Sequence, residues 1–264
     1  MSKENLVYLS TRIFPKERLD RITQICKGRK RKIIVSTQLV EAGVDLDVDV
    51  VYRDFGTLDS VVQASGRCNR NFNEKRGLVK LFRIQDDRRF YYSYIYGGNS
   101  MLIDKTLQVL EEKTMIPELG FKEMVEGYYQ LVKHSMSNDE ANKLLENIAR
   151  LEFEEIQRNF KLIAEDYPKI DVFIAYDDEA VKIWKEFQRI QELSDHSEKR
   201  REFMKIKKQL RDYIISVPEK FKETVGYMEP IDMGYISKMM IEQTGVYDKQ
   251  LGFIKEPTTN TLFT

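Results

Sequence analysis

Short apolar runs separated by amphipathic stretches set the first 95 residues apart from the rest of the chain. Leu6 to Leu9 reads as a strand, and Pro15 is placed to open a helix whose Leu19, Ile22 and Ile25 share one face. The β-branched run from Lys32 to Ser36 is too short for a helix and reads as a second strand. Val48 to Tyr52 and Leu78 to Ile84 read the same way, with a helix expected around Ser60 to Cys68 between them. Strands alternating with helices predict an α/β domain, a parallel sheet with flanking helices. Functional groups in such domains gather on loops beyond the carboxyl ends of the strands, where Thr37 and Gln38 fall.

From about residue 96 the pattern lengthens into helices and then returns to short strands. Gly97-Gly98-Asn99 reads as a joint, and Ser137-Asn138-Asp139-Glu140 has capping-box spacing before Leu144, Leu145 and Ile148. Val181, Trp184, Phe187 and Ile190 predict an amphipathic helix; Phe203, Ile206, Leu210 and Tyr213 predict the next. Strands are expected at Val172 to Tyr176, Tyr213 to Val217 and Gly226 to Met228, with a terminal pair around Gly245 to Ile254. The expected division is residues 1–95, linker helices over 96–136, and an α+β C-terminal accessory domain over 137–264.

Composition narrows the class. With 42% hydrophobic and 33% charged residues the chain suits a helix-rich globular protein, and no apolar run approaches the roughly 20 residues needed to span a bilayer. No leader segment is read at the start, and the expected compartment is the cytoplasm. Cys26 and Cys68 lack metal spacing and are expected as reduced thiols, and His134 and His196 are isolated, so no metal site is assigned. The balanced net charge hides an asymmetry: residues 1–95 carry 19 Lys and Arg against 12 Asp and Glu, the remainder 24 against 31. A basic first segment fits an anionic partner.

Two stretches carry the candidate chemistry. In Gln63-x-x-Gly66-Arg67-x-x-Arg70, two always-charged guanidinium forks stand one helical turn apart, suited to the charge on a transferred phosphoryl group, and Gln63 could orient water or a phosphate oxygen. Gly66 would let backbone pass close to a neighbour. The same residues would also suit a solvated helix end. Upstream, Thr37 can donate hydroxyl and amide to a nucleic-acid phosphate, Gly43 permits an unusual turn, and Asp45 can accept a ribose hydroxyl. The alternative is an ordinary strand-loop-strand crossover. The order of the two stretches, strand, Thr-Gln, Glu-Ala-Gly-x-Asp, strand, then Gln-x-x-Gly-Arg-x-x-Arg, favours the functional reading. The basic run Lys27 to Lys32, the aromatics Phe90 to Tyr96 and Asp177-Asp178-Glu179 are read as structural, with Asp178 expected to cap a helix.

Thr37 to Asp47 followed by Gln63 to Asn71 resembles motifs V and VI of superfamily-two helicases, in the form found in the CRISPR-associated helicase-nuclease of type I systems. Tyr8 to Leu19 is similar to that family's preceding strand-turn-helix, and Val246 to Phe253 resembles its terminal hairpin. The departures are Ser10, where a histidine is usual, and Ala64, where an arginine often stands. The resemblance implies a RecA-like α/β fold for residues 1–95. It also implies Arg67 and Arg70 at the γ-phosphate of ATP, Gln63 beside them, and Gly43, Asp45 and Gly66 near the nucleotide. Thr11, Arg12, Thr37 and Gln38 would then lie on phosphates of single-stranded DNA.

The chain has no GxxxxGK[ST] loop, and no Asp-Glu pair on a strand end is read as holding a metal. On the resemblance, the phosphate loop, the Mg²⁺-holding acidic motif and the nuclease domain would belong to an N-terminal half outside this sequence, so the chain alone is expected to be inactive. Its expected partners are that half, the displaced DNA strand and a Cascade-like recognition complex. Two other readings stay open: a non-catalytic interaction module of the CRISPR effector, and part of another superfamily-two helicase acting on RNA or in repair.

Overall fold

The structure is a computed structural model and describes residues 5–28, 31–41, 43–72, 75–97, 101–136, 139–159, 168–229 and 231–254. β1 (Leu6–Leu9), α1 (Pro15–Lys27) and β2 (Ile33–Ser36) come first, then β3 (Val50–Asp54), α2 (Leu58–Ser65) and β4 (Leu78–Phe82). Helices α3 (Tyr91–Tyr96), α4 (Met101–Leu110), α5 (Phe121–Ser135), α6 (Asp139–Ala149) and α7 (Phe153–Asn159) follow. The chain then runs through β5 (Lys169–Ile174), α8 (Asp178–Gln191), α9 (His196–Arg211), β6 (Ile214–Pro218), β7 (Tyr227–Met228), β8 (Met233–Ile236), α10 (Lys238–Thr244), β9 (Tyr247–Asp248) and β10 (Gly252–Phe253). Contacts gather these into two compact units, Met1–Val44 with Glu165–Thr264, and Asp45–Ala164. No described helix is long and apolar enough to cross a membrane.

The α/β expectation is met by two parallel strand pairs, each with an intervening helix. β1 pairs with β2 from Leu6↔Ile33 to Leu9↔Ser36, and β3 with β4 from Val50↔Leu78 to Asp54↔Phe82. The lengths follow from short β-branched runs, which pack well on a pleated surface but cannot sustain a helix.

In the Asp45–Ala164 unit, α2 buries Leu58, Val61 and Ala64, and Leu58 packs with Met124, Tyr128 and Val132. Leu58 N donates to Thr106 Oγ1 at 2.9 Å, satisfying an amide that the first turn of a helix leaves orphaned. The aromatic segment is structural: Phe90 stacks on Tyr92 at 5.3 Å, Tyr92 meets Phe55 at 5.3 Å, and Tyr96 Oη donates to Ser60 Oγ at 3.0 Å. A Cβ on Gly56 would stand 2.8 Å from Tyr96 Oη, so glycine lets this ring approach closely. Gly98 and Asn99 of the expected joint, and Ser137 and Asn138 of the expected capping box, lie outside the described residues.

In the other unit a four-stranded sheet has the order β6-β5-β8-β7, with β5 antiparallel to β6 and parallel to β8. β8 was not expected from the sequence, because Gly234 interrupts its apolar run. A Cβ there would meet Val225 Cγ2 at 2.7 Å and Val172 Cγ2 at 2.9 Å, so the strand is central because it is small. The expected amphipathic helix is α8, which buries Ile183, Trp184, Phe187 and Ile190. Its cap is Asp177, whose Oδ1 accepts Ala180 N at 2.7 Å, one residue before the Asp178 expected for the role.

Residues 5–44 join this unit through Phe14, which lies 5.3 Å from the ring of Tyr213, 5.4 Å from Tyr176 and 5.9 Å from Tyr247. Lys16 Nζ donates to Glu179 Oε2 at 2.8 Å and to Tyr213 Oη at 2.6 Å. Arg21 Nη1 donates to the carbonyls of Tyr8 and Gln250, both at 2.8 Å, tying β1 to the terminal hairpin. The face predicted for α1 is only half covered: Ile22 and Ile25 are partly buried, whereas Leu19 stays 64% exposed.

Candidate functional site

The predicted site residues fall into two groups, one in each unit. In the first, the parallel register Leu9↔Ser36 places Thr11 and Arg12 after β1 beside Thr37 and Gln38 after β2, at the shared carboxyl end of two neighbouring strands. Thr37 N donates to Leu9 O at 3.2 Å, extending the ladder by one bond, and the side chains of Thr11, Arg12, Thr37 and Gln38 reach the surface. Ser10 is buried and its Oγ accepts Arg12 N at 3.3 Å, which folds the turn so that Thr11 and Arg12 point outward. From the far side, Phe253 N donates to Arg12 O at 3.0 Å. Gly252 (φ +80°) lies so close that a Cβ would stand 2.4 Å from Arg12 O. Gly43 has φ +73°, a conformation in which other residues are strained, as its proposed turn requires.

In the second group, α2 carries Gln63 on an exposed position and ends at Gly66, whose amide donates to Val62 O at 2.9 Å. A Cβ on Gly66 would meet only Gln63 O at 3.5 Å and Val62 O at 3.6 Å, and its φ is −66°. The chain's own packing therefore does not demand glycine there. Arg67 is half-buried, and Arg70 Nε forms an ion pair with Asp45 Oδ1 at 2.8 Å. Asp45 and Arg70 were assigned to a sugar and a phosphate; here they hold one another, with Asp45 87% exposed.

Within the Asp45–Ala164 unit, the backbone just after Asp47 meets the arginine turn. Val48 N donates to Arg67 O at 3.0 Å and Asn69 N to Val48 O at 2.9 Å, making a parallel bridge between Val48 and Cys68. Asp47, to which the sequence reading gave no role, accepts Arg70 N at 2.8 Å on Oδ1 and Asn71 N at 3.4 Å on Oδ2. Its carboxylate fixes the turn that presents Arg70. The alternation Asp45-Leu46-Asp47 was the available signal, since it sends both carboxylates to the same side of an extended segment. Burial raises the Cys68 thiol above its ordinary pKa, and its Sγ lies 3.4 Å from Asp49 O, a packing role. Cys26 and Cys68 form no disulfide.

The expected helix over Ser60 to Cys68 ends at Ser65, so Arg67 and Arg70 lie on the turn beyond it and not one helical turn apart; with a nearby exposed carboxylate and a glutamine, they make a set suited to polyphosphate charge. Among the described residues no group of three or more His, Cys, Asp or Glu could hold a metal ion.

Residues 2–73, the segment with both strand-end loops and the arginine turn, match the family described as CRISPR-associated nuclease/helicase Cas3, C-terminal. That segment is similar to the C-terminal portion of Cas3 proteins. The CRISPR-associated nuclease/helicase Cas3 of Haloferax volcanii is 48% identical over 56 residues, 20% of this chain and 6% of the relative. Cas3 of Methanothermobacter thermautotrophicus is 25% identical over 260 residues, 81% of this chain and 29% of the relative. Among solved structures, T. fusca Cas3 superposes with a TM-score of 0.54 at 17% identity, covering 88% of this chain and 32% of that one. Its AMPPNP complex gives a TM-score of 0.53 at 16% identity, with the same coverage. The chain thus spans less than a third of the length of these Cas3 relatives. The fold is the one seen in Cas3: RecA-like parallel strands with flanking helices, and a further small-sheet α+β region.

Proposed function

We propose that this chain is the C-terminal portion of an ATP-dependent single-stranded DNA translocase that unwinds and helps degrade invading DNA in CRISPR defence. It would supply the arginine-bearing lobe to a nucleotide held elsewhere. The observation that carries the reading is the arginine turn: Asp47 and the Val48–Cys68 bridge hold Arg67 and Arg70 in a fixed relation to residues 45–48.

Within this reading residues 1–95 form the RecA-like lobe, 96–136 the linker and 137–264 the accessory domain. Bound ATP and Mg²⁺ would supply the phosphoanhydride whose cleavage drives movement. Arg70 exchanges Asp45 for a γ-phosphate oxygen, Arg67 offers the second guanidinium, and Gln63 positions the attacking water. Asp45, released from Arg70, accepts a ribose hydroxyl near the Gly43 turn, and Gly66 leaves room for the nucleotide-bearing lobe. Thr11, Arg12, Thr37 and Gln38 hold successive DNA phosphates, fixing the strand without reading its sequence. The partners are the displaced DNA strand, the Cascade-like recognition complex and the N-terminal nuclease and helicase half, in the cytoplasm.

The test is reconstitution. Mixing the chain with a separately produced N-terminal half should generate DNA-stimulated ATP hydrolysis absent from either part. Arg67→Ala or Arg70→Ala should then reduce turnover by about 10³-fold or more, the range for an arginine finger. Full turnover in both variants refutes the assignment.

A further inference from the structure

A cavity of about 440 Å³ opens in the first unit between the Thr11–Arg12 turn and strand β6. Its walls are Thr11, Arg12, Arg18, Lys169, the β6 residues from Ile214 to Pro218, and Phe253. Three of these are cations, and the described lining contains no carboxylate. The nearby Asp171 already accepts the Ser216 hydroxyl at 2.8 Å, and even counting it the charge stays positive.

Arg18 is the telling member. Its Nε is buried and has no hydrogen-bond partner, and burial lowers the guanidinium pKa. A buried guanidinium Nε without an acceptor is unfavourable, and the remedy the cavity permits is an oxyanion entering from solvent. Guanidinium forks match phosphate geometry, and the Thr11 hydroxyl adds a neutral donor. The turn bearing Thr11 and Arg12 is held from both sides, by Ser10 Oγ on Arg12 N and by Phe253 N on Arg12 O, so these donors are preorganised. The lining also includes the apolar Ile214, Val217, Pro218 and Phe253, surface that can meet a sugar or a base. The volume suits a group of nucleotide size.

We propose that this cavity binds a backbone phosphate of a single nucleic-acid strand, with Arg18 and Lys169 acting as binding residues beside Arg12. The strand's track then runs onto the accessory region as well as across the strand-end loops. This rests on the reading that the chain binds single-stranded DNA, and adds to it a site and two residues that the sequence did not indicate.

The experiment measures binding of a fluorescein-labelled single-stranded oligonucleotide by anisotropy over a salt series, for the intact chain and for Arg18→Gln, Arg18→Lys, Lys169→Gln and Lys182→Gln. Lys182 is an exposed α8 residue outside the cavity. Arg18→Gln and Lys169→Gln should each weaken binding about tenfold and reduce the salt slope by about one. Arg18→Lys should recover part of the loss, and Lys182→Gln should bind like wild type. Thermal unfolding of each variant verifies the fold, and Lys169, at the surface, provides a test independent of the half-buried Arg18. Tight binding by wild type that neither glutamine variant weakens overturns the cavity assignment while leaving DNA binding intact. Inorganic phosphate that stabilises wild type but not Arg18→Gln, without oligonucleotide binding, makes the cavity a small-anion site and overturns the strand assignment. Binding of neither ligand overturns both readings.

Discussion

Replacing Gly252 by alanine tests how the terminal hairpin supports the Thr11–Arg12 turn. Gly252 has φ +80°, and an added Cβ would stand 2.4 Å from Arg12 O, 2.6 Å from Arg12 C and 2.9 Å from Ile13 Cγ1. Two of those neighbours are backbone atoms, so no rotamer change relieves the overlap. Placing a Cβ residue at positive φ costs about 1–2 kcal/mol. Backing away would also loosen the Phe253 N to Arg12 O hydrogen bond, worth about 1 kcal/mol, and the expected destabilisation is about 2–4 kcal/mol. For a protein of this size that lowers the unfolding midpoint by roughly 4–15 °C. The assay is thermal unfolding by circular dichroism, paired with oligonucleotide anisotropy below the transition, where the folded variant should bind DNA more weakly because its Arg12 turn has moved. An unfolding midpoint within about 1 °C of wild type would show that the close approach imposes no constraint, and would remove the hairpin from the account of that turn.

Two further substitutions probe the units, one in each. Asp47→Ala removes the acceptor of two backbone amides, and should cost about 1–2 kcal/mol and speed hydrogen exchange at Arg70 and Asn71; unchanged exchange there refutes the anchoring role. Lys16 has its pKa raised by hydrogen bonds from its ammonium to Glu179 and then Tyr213, so its stabilisation is complete below the unfolded value of about 10.4 and is lost as pH rises through the folded one. Because both partners of the ion pair are partly exposed, Lys16→Met should cost only about 1 kcal/mol or less, constant from neutral pH to about pH 10 and shrinking above it in pH-dependent denaturant unfolding. A cost that grows with alkalinity contradicts the pairing.

Much of the α/β architecture was legible because short β-branched runs and Pro15 speak locally. Leu6 to Leu9 and the Trp184 face of α8 needed nothing beyond their own periodicity. β8 did not declare itself: Gly234 weakens the apolar signal, and only Val172 and Val225 packed against it explain the choice. The candidate site was readable in residue type and partly in position. Thr11, Arg12, Thr37 and Gln38 share one strand end because parallel pairing puts them there. The Asp45–Arg70 ion pair, the Asp47 anchor and the unsatisfied Arg18 depend on chain crossings between residues far apart in sequence, and no spacing rule reports those.

The union of Met1–Val44 with Glu165–Thr264 has a consequence for biosynthesis. Phe14 emerges from the ribosome long before Tyr176, Tyr213 and Tyr247, the rings that enclose it. At about 5–20 residues per second, the first strand pair waits roughly 10–40 s for the last ring of its aromatic cage. During that interval the helices and strands of Asp45–Ala164 can complete their own contacts, so the middle of the chain is set to fold ahead of its beginning.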